Sequence, residues 1–264
     1  MPDLASAILV DANLQQAMRF FGEATGLGSV KDRAGITVID SGIDYAVFNI
    51  SVFTGPRVAS GLDFHERLCH PEKHFRERKV RWSHWVCLDL LPGSLGPQPD
   101  GVFRMRGLRR LTEAPAMVAR RLIQPSWALP VLRCRRVDDV ESRTAFAHIT
   151  SMSFDIPFPT CRAVYGPEAA WGGSYHGYVG YFQSTPVCTI AVVPTAETIG
   201  IYSVGTLPGY RRRGFAESML RTVLAQVSAE TKVFTYVLQS TRAGYELYRR
   251  MGFDTVGRFA VFVT

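Results

Sequence analysis

The sequence predicts an α/β (α+β) fold organised around a mixed sheet, and three observations carry that expectation. Short β-branched and aromatic runs follow one another as a meander between residues 177 and 206. Strand-like and helix-like segments then alternate from residue 215 onward. The first half of the 264 residues runs through a vaguer version of the same order, which suggests an internal duplication.

In chain order, "YAVFNISVF" (45–53) reads as a strand and "LDFHERLCHPEKHFRERK" (62–79) as a helix interrupted by Pro71. In "VRWSHWVCLDL" (80–90), Trp82, His84 and Val86 alternate onto one side of a strand. "LLPGSLGPQPDG" (90–101) is dense in proline and glycine and reads as a loop. "VFRMRGLRRLTEAPAMVARRL" (102–122) echoes "ELYRRMGFDTVGRFAVFV" (246–263) as helix end, glycine, hydrophobic residue, strand. The break "IQPSWALP" (123–130) is the better boundary, and it gives domains 1–129 and 130–264.

Beyond the boundary, "VLRCRRV" (131–137) alternates as a strand and "DDVESRTAFAHITSM" (138–152) opens with helix-capping acids. "GYVGYFQ" (177–183) and "VCTIAVVP" (187–194) form a hairpin through "STP", with "TIGIYSVGT" (198–206) as the third strand. A helix then shows Ala216, Met219, Leu220, Val223, Leu224 and Val227 on one face. "VFTYVL" (233–238) reads as a buried strand, "RAGYELYRRM" (242–251) as a helix and "FAVFVT" (259–264) as the closing strand.

Composition narrows the class. Hydrophobic residues make up 47%, enough for a packed core, and no run of about 18 apolar residues predicts a membrane span. The start, "MPDLASAILVDANLQQ", meets Asp3 and Asp11 early and lacks a basic region, so it reads as no signal peptide. Cys69, Cys87, Cys134, Cys161 and Cys188 are odd in number and never spaced CxxC, which argues against zinc and disulfides and for the cytoplasm. His65, His70 and His74 place at most two imidazoles on one helical face, so no metal is expected. The net charge of +7 is uneven: residues 101–160 hold ten Arg/Lys against five Asp/Glu. Such a balance suits an anionic ligand or nucleic acid without choosing between them.

The stretch "GTLPGYRRRGFAESML" (205–220) places a cationic, glycine-bearing turn in front of an amphipathic helix. The first N–H groups of a helix lack intrahelical partners, and with the positive end of the dipole they form an anion site. Gly214 lets the backbone come close, Arg211, Arg212 and Arg213 add charge, and Pro208 with Gly209 sets the turn. Neither GxxxxGK[ST] nor GxGxxG is present. The ordinary reading is a basic loop with a helix cap; the functional one is a phosphate or pyrophosphate cradle.

The hexapeptide Arg211–Ala216 fits Q/R-x-x-G-x-G/A, and here the chain resembles the GCN5-related N-acetyltransferase (GNAT) superfamily. "VLQSTRAGYELYRRMGF" (237–253) is similar to that family's second signature, with Tyr248, Gly252 and Phe253 matching and Thr241 where an asparagine is common. The resemblance covers residues 131–264. It implies the GNAT fold, a mixed, mostly antiparallel sheet flanked by helices, in tandem with a degenerate N-terminal GNAT-like domain at 1–129. It also implies acetyl-CoA as acyl donor. Val204, Gly205 and Thr206 would meet the pantetheine arm, Arg211 to Ala216 (through Arg212, Arg213, Gly214 and Phe215) the pyrophosphate, and Ser240 would also touch the cofactor.

Transfer from a thioester to an amine needs a neutral nucleophile, a stabilised oxyanion and a protonated leaving thiolate. By the resemblance Tyr248 is the general acid. A base is less defined: Glu197 precedes the third meander strand, and His176 lies in "GGSYHGYVG" with a suitable ordinary pKa. Asp155, in "SFDIPFP", is a candidate for holding a cationic acceptor. The leading reading is an N-acetyltransferase acting on a primary amine of a small molecule. The alternatives are a non-catalytic acyl-CoA binder and an acetyltransferase for a protein acceptor. Nucleic acid is disfavoured because no recognisable module accompanies the basic stretch. No membrane partner is expected, and a homodimer is left open.

Overall fold

The computed structural model describes residues 3–96 and 99–264, and the chain divides into two compact units. Unit 1 takes the chain up to Val118 together with Gln239–Ala243 and Thr255–Thr264; unit 2 takes Ala119–Leu238 and Gly244–Asp254. The loop read at 90–101 includes residues 97 and 98, which lie outside the described residues.

Unit 1 contains α1 (Leu4–Glu23), β1 (Ser29–Arg33), β2 (Ile36–Asp40), β3 (Ile50–Phe53), α2 (Gly61–Arg78), β4 (Ser83–Cys87), α3 (Asp100–Met105) and most of β5 (Arg109–Ala119). Unit 2 contains β6 (Arg133–Arg136), α4 (Val140–Phe154), α5 (Phe158–Tyr165), β7 (His176–Phe182), β8 (Thr185–Pro194), β9 (Ile199–Thr206), α6 (Phe215–Thr231), β10 (Tyr236–Gln239) and α7 (Tyr245–Met251). The last strand, β11 (Asp254–Val263), returns to unit 1. Strand order is β1-β2-β3-β4-β11-β5 in the first unit and β10-β9-β8-β7-β6 in the second. Both are mixed and mostly antiparallel, and each contains a parallel pair: β3 with β4 and β9 with β10. The meander, helix, parallel strand and short helix thus occur twice, in the same order.

Local chemistry accounts for the elements. Asp3 caps α1 by accepting from the Ser6 amide, and Ala7, Val10, Leu14, Ala17 and Phe21 form its buried stripe. Asp139 and Ser142 form a reciprocal capping box on α4. The β7–β8 hairpin turns through Gln183 and Ser184, both with positive φ, which matches the twist of the flanking strands. Each short helix, α3 and α7, ends on a left-handed glycine, Gly107 and Gly252. In both, the following residue's amide donates back to the helix: Leu108 to the Phe103 carbonyl and Phe253 to the Tyr248 carbonyl, each at 3.0 Å.

Three expectations need correction. Helix α2 runs unbroken through Pro71. An interior proline costs about 3 kcal/mol, but the buried Phe64, Leu68 and Phe75 along the same helix each contribute about 1.5–3 kcal/mol by leaving water. Residues 45–49 are a turn, because the Phe48 and Asn49 amides both donate to the Tyr45 carbonyl, so β3 starts at Ile50. Strand β10 starts at Tyr236, since Lys232 closes α6 in a left-handed conformation and Phe234 is exposed.

The core of unit 1 gathers Phe64, Phe75, Trp82, Phe103, Ala260 and Phe262. His84 is fully buried with Nδ1 2.8 Å from the Ser51 hydroxyl, and its Nε2 has no partner among the described residues. Some arginines of the basic stretch are ion-paired: Arg106 with Glu72, Arg110 with Asp100 and Glu113, and Arg135 with Asp139. Among the described residues no helix is long and apolar enough to cross a membrane, and no group of three or more His, Cys, Asp or Glu could hold a metal.

Candidate functional site

Strand β9 is paired on both sides only at its beginning. Its parallel register with β10 comprises Ile199 with Tyr236 and Gly200 with Val237, and does not continue along residues 201–206. On the other side, Thr189 faces Gly205 and Ala191 faces Tyr202, so Ser203 and Val204 together oppose Ile190. That two-against-one count is a β-bulge, and Ser203 adopts φ 47° to make it. A left-handed serine is held from two sides: the Thr189 hydroxyl donates to the Ser203 carbonyl at 2.9 Å, and Tyr175 Oη lies 2.8 Å from Ser203 Oγ. The bulge alters the direction of the main chain at Val204, in the part of the strand that has left β10. Nothing in "IYSVG" announces it, since both clamping residues are distant in sequence.

The turn after β9 is built by its own side chains. Arg211 donates through Nε to the Thr206 carbonyl at 3.0 Å and through a terminal nitrogen to the Met152 carbonyl at 3.3 Å. Arg213 stacks over the rings of Tyr210 and Phe215, 5.4 and 5.3 Å from their centroids. Arg212 adopts φ 59° and is exposed. Gly214 is the N-cap of α6 at φ 82°, and no side chain caps the helix there. A Cβ on Gly214 would approach Pro130 Cδ to 3.0 Å, so position and conformation both require glycine. The first intrahelical bond runs from the Ser218 amide to the Gly214 carbonyl, which leaves the amides of Phe215, Ala216 and Glu217 without an intrahelical acceptor. Anion binding at such an end needs no further device. Ser218 also reaches the Pro130 carbonyl at 2.7 Å, a contact that sequence reading missed.

The counterpart in unit 1 is closed. Ser60 caps α2 with its own hydroxyl, Asp63 accepts the Ala59 amide at 2.7 Å, and Arg67 fills the adjoining loop by donating to the carbonyls of Gly35 and Pro56. A carboxylate at the helix start opposes a second anion.

Tyr248 sits in α7, nearly buried, with its ring edge-on to Phe253 at 5.6 Å. Burial pushes its pKa well above the ordinary phenol value, so the hydroxyl stays protonated through the neutral and mildly alkaline range. That hydroxyl has no hydrogen-bond partner among the described residues. Unit 2 therefore holds Val204, Gly205, Thr206, Arg211 to Ala216 and Tyr248, with the Thr206 carbonyl already engaged by Arg211. Glu197 is exposed in the β8–β9 turn, at the opposite end of β9 from the arginines. His176 opens β7 in a row with Val192 and Ile201, and burial together with Arg136 holds its imidazole below the ordinary pKa. Asp155 is the exposed C-cap of α4. Ser240 falls in unit 1, where its amide donates to the Pro115 carbonyl and its hydroxyl to the Thr241 carbonyl.

A family profile described as the Acetyltransferase (GNAT) domain matches residues 180–256. A GCN5-related N-acetyltransferase from Kribbella flavida is similar in structure, with TM-score 0.71 at 16% identity over 98% of this chain and 95% of that one. One from Sphaerobacter thermophilus gives TM-score 0.57 at 19% identity, over 87% and 76% respectively. A tandem GNAT protein from the clavulanic acid biosynthesis pathway gives 0.54 at 10% identity, over 87% and 78%. At these identities the likeness shows the fold. A search of curated proteins finds no significant match.

Proposed function

The chain belongs to the GNAT superfamily of acetyltransferases, and from that premise we propose that it moves an acetyl group from acetyl-CoA to the primary amine of a small molecule. The observation that carries this reading is the uncapped start of α6. Its three amides without an intrahelical acceptor and the exposed Arg212 suit a diphosphate, and Gly214 supplies the left-handed turn that a side chain crowding Pro130 would strain. In this reading Val204, Gly205 and Thr206 line the arm of the coenzyme, and Arg211 and Arg213 shape the turn rather than reach the anion.

Acetyl-CoA supplies an activated carbonyl on a thiol leaving group. The protein holds the two substrates together, which accounts for much of the acceleration in a direct transfer. Tyr248 gives its hydroxyl proton to the departing sulfur, a role that requires the phenol to be neutral before the step, as any phenol is at neutral pH and as burial keeps it at higher pH. The attacking nitrogen must be uncharged. His176 is the proposed proton acceptor, acting through water: depressed as it is, it is a free base at neutral pH, and its row on the sheet lies two residues short of the bulge. Glu197 and Ser240 are assigned no role. The cytoplasm remains the proposed location, in keeping with five free cysteines.

The test is calorimetric titration of the whole chain with CoA, followed by a thiol-release screen over small amines. Binding weakened at least tenfold by Gly214→Asp supports the reading, and unchanged affinity overturns it.

A further inference from the structure

Unit 1 contains a cavity of about 240 Å³ where its parallel strand pair ends. The β3–β4 register stops at Val52 with Trp85, and Phe53 and Trp85 line the space beyond it. Helix α1 contributes Asp11 and Gln15, the segment after β3 contributes Arg57, and Leu91 adds to the apolar wall. At about 30 Å³ per water molecule, the volume equals that of roughly eight waters, enough for one small organic molecule. The coenzyme is not its natural occupant: the neighbouring start of α2, where a diphosphate would sit, is closed by Ser60, Asp63 and Arg67.

The cavity is mostly apolar, with Gln15, Thr54 and Arg57 among its lining and Asp11 as its one carboxyl. Gln15 donates to Asp11 Oδ2 at 2.7 Å, and Oδ1 has no hydrogen-bond partner among the described residues. Burial raises the Asp11 pKa to about 7, against the opposing pull of Gln15 and Arg57. The titratable groups facing it are Arg57, exposed to water and therefore screened, and the Cys87 thiol, itself pushed up to about 12 by burial and by Asp11. A half-buried carboxylate with apolar neighbours is costly alone and favourable with a cation against it.

We propose that this cavity is a second small-molecule site, taking a primary amine with an apolar body: the ammonium on Asp11 Oδ1, the body against Phe53 and Trp85. It is separate from the acetyl-transfer site of unit 2 and does not depend on that assignment.

The test titrates the whole chain at pH 8 with three probes of one shape: 2-phenylethylamine, 2-phenylethanol and 3-phenylpropionate. The amine is expected to bind at least tenfold tighter than the other two. Asp11→Asn, which keeps the volume and the Gln15 contact, should abolish that preference, and Gly214→Asp in unit 2 should leave it intact. Equal binding of the three probes, tighter binding of the carboxylate (which would make Arg57 the reader), no binding at all, or a preference that survives Asp11→Asn would each overturn the proposal.

Discussion

Phe103 and Tyr248 occupy the same position in two copies of one motif. Each lies four residues before a left-handed glycine, and each offers its carbonyl to the amide five residues on, at 3.0 Å in both. Phe103 is fully buried and stacked on Phe262 at 3.8 Å, whereas Tyr248 carries a hydroxyl that nothing described engages. The backbone of the motif occurs twice, and only the second copy carries a hydroxyl. Together with the closed start of α2, this is why the proposed chemistry is assigned to unit 2.

Replacing Tyr248 by phenylalanine tests that directly. General acid catalysis is worth about 10²–10⁴ in rate, so kcat should fall by at least a hundredfold while the KM for acetyl-CoA changes less than threefold. Steady-state thiol release reads both, and undiminished turnover would remove Tyr248 from the mechanism.

The arginines of the turn should separate by function. Arg212→Ala is expected to raise the Kd for CoA about tenfold, ~1.4 kcal/mol, with little change in Tm. Arg213→Ala, which loses two ring contacts, should lower Tm as well. Calorimetry beside thermal melts distinguishes them, and equal effects on both quantities would show that neither residue meets the anion.

Tyr175 and Ser203 predict a link between a side-chain clamp and rate. Tyr175→Phe removes the hydroxyl on Ser203 Oγ and should cost about 1 kcal/mol of stability. Because Ser203 sits in a left-handed conformation at the bulge, a fall in kcat of severalfold is expected as well. Unaltered kinetics in a destabilised variant would make the bulge structural only.

His84 makes unit 1 sensitive to acid. Its pKa is about 3 in the fold against 6.5 for an ordinary histidine, because burial excludes the charged form. Above pH 6.5 neither folded nor unfolded chain holds the proton. As pH falls toward 3 only the unfolded chain takes it up, and stability declines by on the order of 4–5 kcal/mol. Asp11 acts in the opposite sense: its contribution is full below its ordinary 3.8 and is lost as pH rises toward 7. The Tm of His84→Gln should therefore vary less between pH 6.5 and 4 than that of the parent; parallel curves would contradict this.

Local features were legible in the sequence and long-range ones were not. The turn at 211–216 could be read because a glycine before a helix and a run of arginines act where they stand. The repeated helix end at Gly107 and Gly252 was readable for the same reason, since its hydrogen bonds close within six residues. The buried stripe of α1 has ordinary helical spacing and is a local feature too. Pro71 misled because helix continuity there is decided by burial of Phe64 and Phe75. The bulge, the cavity around Asp11 and the return of β11 to unit 1 depend on residues tens to hundreds of positions apart, which no local pattern records.

The return of β11 sets a timetable. Ala260 and Phe262 belong to the core that also holds Phe64 and Phe103. During synthesis, at roughly 5–20 residues per second, the half made first must wait with an unfilled slot until nearly everything else has emerged. Unit 2, although encoded later, already owns all its strands by Leu238. The half synthesised first is thus completed by β11, a strand synthesised after every element of unit 2.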